Sequence, residues 1–299
     1  MKQILFSLCL LFCIHGIAQP ETITLDGHTF NAFDPPNMIR ISNNFYADQT
    51  EITNLFYKEY LHWLERVYGM ESPIYLSAVP DASVWMYQDV VKLKHENYFL
   101  PAPYDDYPVV GISLDQAISY AKWRTDRVAE MLLMEQGYLN PQLGETAENH
   151  FTINRFANGL IPMRKELDSH FTYPVFTVPS KKEWEQLAGI PNGENEHQFK
   201  VISSSRKSKM SKKKSRAKNN PVPTLSSKDG EKNRYNLYHI SGNVAEMIDE
   251  PGIAMGGDWK NGKDRRGLMS HKKQNIPNSW TGFRCVASFN IIKMESDEK

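Results

Sequence analysis

The chain has 299 residues, 40% of them hydrophobic and 11% aromatic, which is enough for one large core or at most two domains. Its 35 basic and 35 acidic residues cancel, so overall charge gives no support for a nucleic-acid or membrane-surface partner.

The N-terminus reads as a secretory signal. Lys2 precedes the apolar run Ile4–Ile14, and His15–Ala18 places small residues before a cleavage point at Gln19. The run is short of the ~20 residues that cross a bilayer, so no membrane span is expected in the mature chain. Cys13 keeps lipid attachment in the outer membrane open as the alternative to periplasmic or secreted export, although Leu11–Phe12 are not the small residues of a bacterial lipobox. Removal of residues 1–18 takes away Cys9 and Cys13 and leaves one thiol, Cys285. Neither an internal disulfide nor a two-cysteine site is then available.

Residues 19–36 form a lead-in with turn formers at Asp34–Pro36, and Thr22–Ser42 reads as a strand pair. Thr53 is placed to cap a helix whose apolar positions Phe56, Tyr60, Leu64 and Val67 follow helical spacing, with Gly69 at its end. Pro108–Ser113 is expected to be a short buried strand. Ser113 and Gln116 then form a capping box for a second helix carrying Ala117, Tyr120, Ala121, Trp123 and Val128. A third box, Ser180–Glu183, opens a short helix holding Trp184 and Leu187 and closed by Gly189. Two stretches read as insertions, about 137–173 and 203–234. The second is polar and lysine-rich (Arg206, Lys207, Lys209, Lys212–Lys214, Arg216, Lys218) and is expected to be a mobile surface loop, since like charges cannot bury a core. Residues 291–299 form a charged tail.

Three C-terminal motifs carry the most information: NLYHISGNVAEM at Asn236–Met247, MGGDW at Met255–Trp259 and GFRC at Gly282–Cys285. With the segments Asn44–Asn54, Pro108–Trp123 and Phe176–Gly189, they resemble the formylglycine-generating enzyme family, also called sulfatase-modifying factors, over residues 37–290. The resemblance implies an α+β domain with a complex C-type lectin-like fold and much irregular structure. The WRTDR wording at Trp123–Arg127 and the long join after it are similar to the gliding-motility and type IX secretion branch of Bacteroidota, whose exported members are structural.

The family oxidises a sulfatase cysteine to formylglycine with a copper-binding cysteine pair. That pair is expected between Gly257 and Phe283, and this chain has none there: Lys260–Arg266 occupies the place. Lysine, asparagine, aspartate and arginine do not replace a soft thiolate pair for monovalent copper. Cys285 in GFRC is expected to be structural, in a buried strand. Relatives bind calcium in the NLYD-type loop. Carried over, the positions are His239, the carbonyls of Gly242 and Val244, and the Glu246 carboxylate. His239 offers nitrogen where calcium wants oxygen, so the site is weakened. The bland alternative is a tight turn at Gly242–Asn243 with Glu246 on backbone amides.

His150, His170, His197, His239 and His271 lack metal-ligand spacing, and neither a P-loop nor GxSxG occurs. No catalytic residue and no firm cofactor emerges. Two functions lead, with a membrane-attached component of a secretion machine, lipid-anchored at Cys13, as a third. One is an exported, non-catalytic protein that binds a protein or glycan in the envelope or outside the cell. The other is a formylglycine-generating-type oxidoreductase with a non-standard active site.

Overall fold

The computed structural model describes residues 22–31, 33–85, 96–99, 102–141, 144–167, 170–189, 223–260 and 276–293. The signal-peptide reading, the core of the basic segment (203–222), most of the 260–270 loop and the charged tail from 294 lie outside these residues. The chain divides into two compact units at Phe33/Asp34. In the first, β1 (Thr22–Leu25) and β2 (His28–Asn31) pair antiparallel. Asp26 and Gly27 both have positive φ (49° and 81°), the two-residue turn whose twist suits a hairpin.

The second unit is α+β. Its main sheet runs β3 (Met38–Ser42), β4 (Phe45–Asp48), β9 (Val286–Lys293) and β5 (His170–Thr177), in that spatial order and antiparallel throughout. A smaller sheet places β6 (Ala245–Met247) between β7 (Ala254–Met255), antiparallel, and β8 (Thr281–Gly282), parallel. The helices are α1 (Asn54–Tyr68), α2 (Pro73–Ala78), α3 (Glu96–Phe99), α4 (Leu114–Glu135), α5 (Ile153–Ala157) and α6 (Lys181–Ala188). Among the described residues no helix is long and apolar enough to cross a membrane.

All three expected helices form, for the reasons the sequence supplies. Thr53 Oγ1 accepts from the Phe56 amide, and Gly69 ends α1 with its amide on Glu65. Both capping boxes close at α4 and α6, each end satisfying amides that have no partner within the helix. Ala117, Tyr120, Ala121, Val128 and Leu132 form the buried stripe of α4, which lies against β5. Tyr120 stacks on Tyr57 of α1 (ring centres 5.7 Å apart) and meets Phe283 edge-on at 5.5 Å, tying the two long helices to the GFRC motif.

The expected strand at Pro108–Ser113 is not a strand. Pro108 makes a single bridge to Thr53, and Val109 donates to the Ile52 carbonyl. The chain then turns at Gly111 (φ 77°), whose amide bonds Asn278; a Cβ there would stand 2.6 Å from the Asp81 carbonyl oxygen. Burial alone suggested a strand, but this segment's amides go to loops and not to a ladder. Residues 223–234 also depart from the mobile-loop reading. Thr224 and Ser227 are buried, Leu225 donates its amide to Asn243 Oδ1, and the Asn233 side chain bonds Leu187, Tyr235 and Leu237. Polar residues pack inside when each finds a partner.

The β5 edge of the main sheet is blunted. On the outer edge of β5, Phe176 gives its amide to Thr125 Oγ1, and Pro174, in the same register phase, has no amide to offer. β4 pairs with β9 only at Val286 and Ala287. Beyond them the Asn44 side chain takes over as a two-way partner, bonding both the amide (2.8 Å) and the carbonyl (3.1 Å) of Phe289.

Candidate functional site

The C-terminal motifs converge on a buried network of charges. Arg284, fully buried, lies in the short link between β8 and β9. Its Nε and Nη2 reach Glu246 Oε2 (2.8 Å) and Oε1 (2.5 Å), its Nη1 donates to the Asp48 carbonyl and its Nη2 also to the Tyr238 carbonyl. Trp184 Nε1 gives Glu246 Oε2 a further bond at 2.8 Å. The carboxylate of Glu246 thus faces a bidentate guanidinium and an indole N–H, not the backbone amides expected from sequence.

Beside it, Asp48 Oδ2 accepts from Arg124 Nη1 and from the Cys285 amide, each at 2.9 Å. Burial raises the Asp48 carboxyl, and Arg124 opposes that rise. The Cys285 thiol is fully buried, and burial pushes it well above the ordinary thiol range, with the Asp48 charge adding to the effect. It is an inert thiol.

Glu51 is the third buried acid. Its Oε1 accepts from Asn243 Nδ2 at 3.0 Å, while Oε2 has no hydrogen-bond partner among the described residues. Burial raises its carboxyl to about 8, against the pull of Arg284 and with a push from Glu246.

Of the four positions carried over for calcium, Glu246 is the acid at the centre of this network and His239 lies close enough to feel its charges. His239 Nε2 lies 3.2 Å from the Ser226 carbonyl oxygen, and burial lowers its imidazole below the ordinary value. Among the described residues no three histidine, cysteine, aspartate or glutamate side chains converge on one point. A calcium ion needs several oxygens and a carboxylate free to meet it. Here the one carboxylate is matched by Arg284, so the donor set does not fit the ion. Copper fits no better: Cys285 is the single free thiol among the described residues, and it is sealed.

The open feature nearby is a cleft of about 280 Å³ between the start of α4, the β6–β7 hairpin and residues 276–281. Its walls include Leu114, Met247, Ile253 and Ile276, with Asp115 and Glu250 also lining it. Ile276 is 78% exposed. The hairpin turns at Glu250–Ile253, where Pro251 is followed by Gly252 at φ 80°. Such a space accepts a small group or one or two side chains of a partner.

Sequence reading placed Glu246, Gly282 and Cys285 in one region but missed Asp48, Glu51 and Arg124. A signal existed for Arg124: it falls between Tyr120 and Val128 on the apolar stripe of α4, where a charge needs a buried partner.

A family model described as Sulfatase-modifying factor enzyme 1-like domain matches residues 16–289. Nothing among curated proteins matches. Among solved structures, the crystal structure of CarF is 18% identical, with 82% of this chain and 86% of that one covered and a TM-score of 0.38. Treponema denticola variable protein 1 is 14% identical, with 89% and 98% covered and a TM-score of 0.38.

Proposed function

We propose, from the premise that this chain belongs to the sulfatase-modifying factor enzyme 1-like family, that it uses the family scaffold for binding and not for oxidation. It is an exported protein whose partner, a protein or a glycan of the envelope or the extracellular space, is met at the cleft beside β6 and β7. The α+β architecture is that of the family, a complex C-type lectin-like fold.

One observation carries this reading. Cys285, the one thiol left after removal of residues 1–18, is fully buried with its backbone amide on Asp48. The family reaction draws on two thiolates that hold copper. Here both are missing from the sequence between Gly257 and Phe283, and the one remaining thiol, Cys285, is buried outside that stretch. The fold alone does not supply the reaction. The exported role follows from the N-terminal signal, and the WRTDR wording favours the structural branch of the family.

Purified mature protein incubated with Cu(I) and a CxPxR-containing peptide is expected to yield no aldehyde by mass spectrometry and no stoichiometric copper. Aldehyde formation would overturn the reading in favour of an oxidase with a different site. A mature N-terminus at Gln19 supports release from the membrane; a lipid on Cys13 would replace that with anchoring.

A further inference from the structure

The WRTDR residues of α4 each hold a different part of the molecule. Trp123 packs on Tyr60 and Tyr120, Arg124 pairs with Asp48, and Thr125 takes the Phe176 amide. Asp126 Oδ1 accepts from the amide of Ile153, the first residue of α5, at 2.8 Å. Arg127 Nη2 donates to the Phe151 carbonyl, and its guanidinium lies over the Trp63 ring at 4.7 Å. The last two residues therefore fasten residues 144–157, part of the first insertion, onto α1 and α4. Glu145 completes the clasp by accepting from Arg66 Nη2 (2.9 Å) and Trp63 Nε1 (3.3 Å). His150 sits beneath, with Nδ1 on the Thr146 carbonyl and Nε2 against the Tyr68 hydroxyl.

Two carboxylates of this clasp compete for one donor. Arg127 Nη1 serves two carboxylates at once, Glu130 Oε2 at 2.8 Å and Glu145 Oε1 at 3.0 Å. Asp126 is the third acid, and Arg66 is the second base. Glu148, His150 and Arg155 lie about Tyr68 on the same side, and Lys122 with His150 acts on Asp126. Glu130 is 8% exposed, and Glu145 is nearly as enclosed. A second carboxylate charge held that far from water on a shared donor is costly.

We propose that Glu130 is a proton-gated fastening for residues 144–157. With Glu130 protonated, Glu145 has Arg127 and Arg66 to itself and the segment is held. Once Glu130 ionises, it competes with Glu145 for Arg127 Nη1, with the Asp126 charge adding to the repulsion, and the segment loosens. Burial first, and then Glu145 and Asp126, raise the Glu130 carboxyl to about 7 against the pull of Arg127 and Arg66, which puts the transition near neutrality. The device does not depend on what binds at the cleft.

Amide hydrogen exchange on the full mature chain tests it, with rates corrected for the intrinsic pH dependence of exchange. In the wild type, protection of the amides of residues 149–158 is expected to fall about tenfold between about pH 6 and about pH 8.5, while β5 and β9 hold theirs. In Glu130→Gln the same amides stay protected throughout. Asp126→Asn keeps an oxygen for Ile153 but removes a neighbouring charge, so its midpoint moves to lower pH. Equal loss of protection in Glu130→Gln, or none in the wild type, overturns the proposal. Should Glu130→Gln fail to fold, an Asp126→Asn midpoint that stays in place does so instead.

Discussion

Arg284 and Glu246 form a two-point ion pair in which neither side chain meets water: Nε and Nη2 lie 2.8 and 2.5 Å from the two carboxylate oxygens. Such a pair gives little net stability when intact but is hard to break from one side. Arg284→Met leaves Glu246 buried with only Trp184 beside it, and is expected to cost about 3–5 kcal/mol. Arg284→Lys also destabilises, because an ammonium does not reproduce the fork. The double variant Arg284→Met/Glu246→Gln should recover part of the loss. Urea unfolding measures all three.

Glu51 should make stability fall as pH rises. Its carboxyl is raised to about 8 in the folded chain, far above an unfolded glutamate. Its contribution is therefore complete below the unfolded value near 4.5 and is lost as pH climbs through about 8. Glu51→Gln cannot titrate. The stability difference, wild type minus Glu51→Gln, should decline across that window, by up to about 1.4 kcal/mol per pH unit, and level off above it. A difference that rises with pH contradicts the assignment.

Gly256 is held where a side chain does not fit. Its φ is 94°, and a Cβ would stand 2.8 Å from the Ile240 carbonyl oxygen and 3.1 Å from Trp184. Gly256→Ala is expected to destabilise by about 1–3 kcal/mol. The shift in thermal midpoint checks this, with Gly144→Ala as the comparison: its φ is also positive, but nothing lies within 4 Å of its Cβ position.

Cys285 should be chemically silent in the native state. Its modification by a maleimide is expected only through unfolding, so the labelling rate should follow denaturant concentration as the unfolding transition does. Rapid labelling in native buffer would contradict its burial and reopen the thiol as a functional group.

The helices and their caps were legible because a cap is a local sentence: Thr53, Ser113 and Ser180 each act within three residues of themselves. The family motifs likewise located Glu246, Gly282 and Cys285. What could not be read was which charge answers which. Asp48 and Cys285 are 237 positions apart, and Glu51 and Asn243 are 192. No spacing rule reaches that far, so Glu246 was assigned to calcium or to amides when its partner is Arg284. Val109 and Val110 misled for a related reason. Their burial is real, but hydrogen-bond partners and not hydropathy decide what is a strand, and those partners lie in distant loops.

The order of strands in the main sheet has a kinetic consequence. β9 is the strand that β4 and β5 share, and it follows every other element of the second unit in the sequence. A chain emerging from its N-terminus therefore holds β3, β4 and β5 without their common neighbour until residues 286–293 arrive. Pairings of such high contact order form slowly, because closure entropy must be overcome before the contacts reward it. A truncation just before Val286 removes only a few per cent of the chain, yet it leaves the sheet in two pieces.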